Sequence, residues 1–164
     1  MDTQKERAQK LFSLLCRDLD DNEWEYEQNK EQPFTLNSYI GFDNDESFFY
    51  TAALGADTQY VYFRGIFPFT VPKPRRITFA YAVATHNAHN ASVTVDFDLQ
   101  SGYVGLRKTA VLAGAIVGGG FFYHAMESYL FTAQVLYPRL LRIAQNDVSL
   151  ADAHRIMCGE GDNG

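Results

Sequence analysis

Cysteine is scarce: Cys16 and Cys158 stand near opposite ends of a chain of 164 residues, with no CxxC pair. That argues against a disulfide framework and a zinc finger, and fits a reducing compartment. A long apolar run is missing as well. The uncharged stretch 109–126 contains His124 and three consecutive glycines, Gly118, Gly119 and Gly120, so it is too short and too polar for a membrane span. No lysine followed by serine or threonine comes after those glycines; Phe121, Phe122 and Tyr123 do, which excludes a Walker phosphate loop. The opening MDTQKERAQK lacks the apolar core of a secretory signal, so a cytoplasmic protein is expected.

Basic residues are few where acids are many. Residues 1–57 hold thirteen acidic side chains against five basic ones, and the remainder seven against nine. Lys73, Arg75, Arg76, Arg107 and Lys108 come in short runs that solvate a surface rather than grip a phosphate backbone, so nucleic acid is not an expected partner.

What remains is the composition of one globular domain, placed over 1–157 with a flexible tail at 158–164. Ala8, Leu11, Phe12, Leu15 and Leu19 fall on one side of a helix over 3–20, with Cys16 flanking that stripe as a small core residue and Asp18, Asp20 and Asp21 as its solvated end. WEYEQ (24–28) alternates as a strand does, and 33–37 reads as a turn into SYIGF. FFYTAAL (48–54) and YVYFRGIF (60–67) are aromatic and branched strands. Pro72 and Pro74 predict a helix over about 74–88, with Ile77, Ala80, Tyr81 and Ala84 inward and Asn87 or Asn90 as a left-handed end. SVTVDFDL alternates, DLQSG turns and YVGLRKTAVL returns. A long helix over 121–145 follows, inward at Phe122, Met126, Tyr129, Ala133, Leu136, Tyr137, Leu140 and Ala144, with Pro138 inside it. SLADAHRIM adds one or two helical turns behind a Ser149 cap. The expected class is α+β: an antiparallel sheet with three main helices on one face, in the order α-β-β-β-α-β-β-α.

FRGIFPFTVPKPRR, FDLQSGYVGLRK and the helix end YPRLLRIA together resemble the YbjN family of small bacterial proteins, described as sensory transduction regulators. The likeness covers about 58–145 and rests on Phe67, Pro68, Val71, Pro72, Asn87, Gly102, Tyr137 and Pro138. It implies the fold of type III secretion chaperones, which commonly form homodimers and bind another protein. No catalytic residue belongs to the pattern, so none is carried over. The segment 33–45 is longer than the family's spacing between early strands.

The expected function is a non-enzymatic protein-binding module, a chaperone-like adaptor or regulator, with no cofactor, no metal and no catalytic residue assigned. A second reading, a metal-dependent enzyme or ligand-binding protein, uses the HxxH pair His86 and His89 with Asp96 and Asp98 on the next strand. His124 and Glu127 stand at helical spacing as a surface pair. For the first reading, alternation puts Val61, Phe63 and Phe67 in the core and Tyr60, Tyr62 and Arg64 on the sheet's other face, with Phe49, Tyr103 and Arg107. Tyrosine and arginine concentrate binding energy at protein interfaces. Phe131 and Val135, four apart on the polar side of the long helix, form a smaller candidate patch, to be covered by a second copy or by 150–157. Whether 33–45 folds over the sheet face is left to the structure.

Overall fold

The apolar periodicities resolve into a layer of helices on one face of a twisted antiparallel sheet. The structure is a computed structural model and describes residues 2–55, 57–90 and 92–160. Helix α1 (Asp2–Asp20) leads into strands β1 (Glu27–Gln28), β2 (Thr35–Gly41), β3 (Ser47–Leu54) and β4 (Tyr60–Thr70). A single 3-10 turn (Lys73–Arg75) then opens helix α2 (Arg76–His89). The hairpin of β5 (Thr94–Phe97) and β6 (Tyr103–Val111) precedes helices α3 (Phe121–Gln145) and α4 (Leu150–Cys158). The strands lie in the order β1-β2-β3-β4-β6-β5, every neighbour antiparallel. This is the α+β class expected; the strand expected over 24–28 shrinks to the two residues of β1, and the short helical turns expected near the end form a fourth helix.

The core lies between helices and sheet. Phe48, Tyr50, Phe63 and Phe67 rise from β3 and β4 to meet Tyr129 and Tyr137 of α3, with ring centroids 5.7 Å apart for Phe63 and Tyr129. Each such side chain removed from water contributes about 2–3 kcal/mol. The Tyr129 hydroxyl is buried and donates to the carbonyl of Leu106 at 2.8 Å, so its burial leaves no polar group unpaired. Gly65 is needed because the outer end of the buried Phe48 ring occupies the place a Cβ would take, so any side chain there would collide.

Two early segments bear on the sequence reading: 24–28 departs from it, and 33–45 settles a point it left open. WEYEQ is not a strand beyond Glu27–Gln28. Trp24 turns aside to pack edge-on against Tyr123, and the Tyr26 hydroxyl donates to Asp20 at 2.9 Å. The segment 33–45 does not lie over the sheet. Its strand begins at Thr35, two residues after Pro33, and pairs along β3 from Thr35↔Ala53 to Gly41↔Ser47. The loop after it is tied to α3, where Phe42 stacks on Tyr137 at 3.7 Å and the Asn44 amide donates to the Tyr137 hydroxyl at 2.7 Å.

Helix α2 is turned from the predicted phase: Phe79, Ala82 and Val83 face inward, while Ile77 is 69% exposed and Tyr81 and Ala84 face out. ITFAYAVA is apolar on both sides, so spacing supports two phases, and the larger Phe79 takes the core. Asn87 and Asn90 are not left-handed caps. Asn90 is extended, and the Asn87 amide exchanges a pair of 3.0 Å hydrogen bonds with the backbone of Val95, clamping α2 to β5. Arg76 holds the other end, its guanidinium donating to the carbonyls of Val71 (2.9 Å), Leu99 (3.2 Å), Gln100 and Ser101 (3.0 Å). Gly102, at φ 80°, sits against the same Val71 carbonyl, where a side chain would not fit.

The glycine joint also has an anchor. Asp18, predicted as a solvated helix end, is 3% exposed, and its carboxylate accepts from the amides of Gly120 (3.0 Å) and Phe122 (3.1 Å). It caps α3 from another element and sets a negative charge at the positive end of that helix. Inside α3 the eight predicted inward positions are all buried, joined by Leu130 and Ile143. Ser149 caps α4, accepting from the Asp152 amide at 3.0 Å. Of the expected tail, Cys158, Gly159 and Glu160 close α4 through a left-handed Gly159, and 161–164 lie outside the described residues.

Candidate functional site: the outward face of the sheet

Strand alternation sends every second side chain of β2, β3, β4 and β6 away from the helices. The register then sorts these side chains into bands that cross the sheet. In the first band Tyr39 stands opposite Phe49, Phe49 opposite Ile66, and Ile66 opposite Gly105, over which the hydroxyl end of Tyr103 is laid. Tyr39 is 61% exposed, Phe49 49%, Ile66 48% and Tyr103 38%. Two residues along, Arg64 and Arg107 are directly opposed on β4 and β6. Two further still, Tyr62 and Tyr60 lie half-buried with ring centroids 6.0 Å apart, and Val111 is exposed opposite Tyr60. Apolar, cationic and tyrosine bands therefore follow one another along β4.

Arg107 is paired: its Nε donates to Asp96 of β5 at 2.9 Å. Partial burial, with Asp96 nearby, raises the Tyr103 hydroxyl pKa, and the Arg64 charge opposes that rise. Two open hollows flank the bands. One of about 400 Å³ lies among Tyr26, Asn37, Tyr39 and Phe49, and one of about 350 Å³ among Gln32, Thr51, Tyr62 and Arg64.

The fold thus brings Phe49, Tyr60, Tyr62, Arg64, Tyr103 and Arg107 onto one surface, while Phe131 and Val135 belong to α3 on the opposite side of the sheet. Phe131 is 66% exposed and Val135 half-buried, so α4 does not cover this patch. Two members of its first, apolar band were missed from sequence. Ile66 follows from the period that places Tyr62 and Arg64, whereas Tyr39 required the register that sets it opposite Phe49.

The second constellation does not assemble. His86 Nε2 is 3.2 Å from the Val93 carbonyl and His89 Nδ1 is 2.8 Å from that of Thr85, both backbone contacts. Burial lowers the His86 pKa. Asp96 pairs with Arg107 on the sheet, and Asp98 lies in the hairpin turn rather than on a strand. There Asp98 accepts from the hydroxyl of Ser101 and from the amides of Gln100 and Ser101, which lowers its pKa. Among the described residues no group of three or more His, Cys, Asp or Glu could hold a metal ion. His124 and Glu127 are an exposed pair at 3.5 Å. Burial raises the Cys16 pKa, against a nucleophilic role. Cys158 Sγ lies 3.6 Å from His154 Nε2, one turn apart on α4, a pairing the sequence reading did not register.

No protein-family model matches the sequence, and no curated protein matches it. Solved structures share the fold. A chain of the ExsC–ExsE complex aligns with a TM-score of 0.54 at 17% identity, over 81% of this chain and 95% of that one. YbjN from E. coli, described as a candidate transcription regulator, aligns at 0.51 and 16% identity over 87% and 92%. A chain of the HopA1–SchA chaperone–effector complex aligns at 0.50 and 17% identity over 77% and 93%. Among the described residues no helix is long and apolar enough to cross a membrane. The chain has the architecture of YbjN and of chains found in chaperone–effector assemblies.

Proposed function

We propose that the protein is a non-enzymatic protein-binding module, a chaperone-like cytoplasmic adaptor that holds a segment of another polypeptide against the outward face of its sheet. One observation carries this reading. Tyr39, Phe49, Ile66 and Tyr103 form a band of exposed large apolar side chains across β2, β3, β4 and β6. A monomer gains nothing from such a band, because its apolar surface faces water with no core to fill. The fold shared with a chain of a chaperone–effector complex supports the same reading by analogy. For the homodimer, support comes from α2: Ile77 and Tyr81 are exposed in a stretch, 77–95, that holds no Asp, Glu, Lys or Arg. A symmetric contact sets a face against itself, so an uncharged face suits it.

The test is site-specific photocrosslinking in the producing cell, with a benzophenone side chain at position 39 and, as control, at position 124 on α3. Discrete adducts are expected at 39 and not at 124. They should disappear in Phe49→Ser/Ile66→Ser while the thermal melt of the purified variant is unchanged, since truncating interface anchors costs about 1–3 kcal/mol each in binding and little in folding. Adducts that survive the double substitution would refute the reading.

A further inference from the structure

We infer that the segment held on this face is acidic, with a carboxylate seated between two apolar anchors; the inference rests on the outward face being the binding surface. Arg64 and Arg107 are direct cross-strand neighbours, an arrangement in which like charges destabilise a sheet. The single carboxylate that reaches them, Asp96, is bound to Arg107, and Arg64 is exposed with no ion-pair partner among the described residues. An unpaired cation beside a second one, between an apolar band and a tyrosine band, is a local conflict of the kind that functional sites retain. An incoming carboxylate resolves it, because a guanidinium offers a planar fork of donors matched to two oxygens.

The spacing sets the rest of the ligand. Along β4 the outward residues run Ile66, Arg64, Tyr62, with the apolar band at one end and the tyrosines at the other. At about 3.3 Å per residue the two apolar ends are roughly 13 Å apart, and the arginines lie midway. The complementary segment carries an apolar residue, then an Asp or Glu about 6–7 Å on, then a second apolar residue the same distance further. An acidic second copy is the competing occupant.

A random peptide display library, panned on the purified full chain, tests this directly. Wild-type protein should enrich peptides with Asp or Glu between apolar residues. An enriched peptide should bind Arg64→Gln at least 10-fold more weakly, and panning on Arg64→Glu should lose the acidic preference, each variant keeping the wild-type melt. Phe49→Ser/Ile66→Ser should enrich nothing. Enrichment with no acidic preference, equal affinity for Arg64→Gln, or no enrichment on wild type would overturn the inference. If peptides without acids are enriched and Phe49→Ser/Ile66→Ser abolishes them, the face stands and only the acidic chemistry falls. If enriched peptides ignore that double substitution, the face itself is wrong. Concentration-dependent self-association lost in the double variant would give the face to a second copy and likewise overturn the inference.

Discussion

Replacing Asp18 with alanine should be among the most costly single changes on α1 even though it removes no apolar surface. The carboxylate is 3% exposed and holds two amides, those of Gly120 and Phe122, at 3.0 and 3.1 Å. Alanine removes two charge-assisted hydrogen bonds and leaves the buried Phe122 amide without a partner. N-cap deletions cost about 0.5–2 kcal/mol, and stranding a buried donor about 1–3, so a total of about 2–4 kcal/mol is expected. For a domain of this size that corresponds to a fall in Tm of roughly 5–12 °C. Asparagine keeps one acceptor but turns an amide group toward the second donor, so Asp18→Asn should fall between wild type and alanine. Asp21→Ala, at an exposed position one residue beyond α1, is the control and should change stability by less than about 0.5 kcal/mol. Urea unfolding gives the free energies, and amide hydrogen exchange should lose protection first at Phe122 and the following turn of α3. If Asp18→Ala melts within a degree or two of wild type, or if Asp18 and Asp21 behave alike, the capping account of the glycine joint is refuted.

Two further outcomes are expected. His86 is held near neutral form by burial, its pKa below 6.5, so the unfolded chain takes up the proton first as pH falls. Its share of stability is complete above about pH 6.5 and is lost as pH drops through the folded value; melts at pH 7.5 and 5.0 should differ more for wild type than for His86→Gln. Tyr81→Glu, on the exposed side of α2, should convert a dimer into monomer by light scattering at micromolar protein without lowering the melt; a wild-type protein that is monomeric at every concentration would refute the dimer contact.

The fold was legible where one face of an element is apolar and the other is not. Helix α3 shows this best: its polar residues fix the phase, and both the bounds and the inward set follow. Helix α2 shows the opposite case, because Ile77 and Tyr81 on one side and Phe79 and Val83 on the other give two defensible phases, and only tertiary packing, against the sheet and α4, chooses between them. Asp18 was hidden for a different reason. Its role depends on a glycine joint 102 residues away, a distance that no local pattern spans. Strand alternation read the outward placement of Tyr60, Tyr62 and Arg64 correctly, but their opposition to Arg107 and the addition of Tyr39 required the sheet order.

The long early connection explains why the outward face is open. A segment such as 33–45 could cover a sheet or widen it, and its own residues select the second: TLNSYIG alternates, placing Leu36 and Ser38 inward while Asn37 and Tyr39 face out. Once Thr35–Gly41 pairs along β3, its backbone is satisfied by the ladder, and Phe42 and Asn44 commit the following loop to Tyr137 on the helical side. No length of that connection is then left to cross the other face. The segment therefore enlarges the very surface it could have hidden, adding Tyr39 to the band of Phe49 and Ile66.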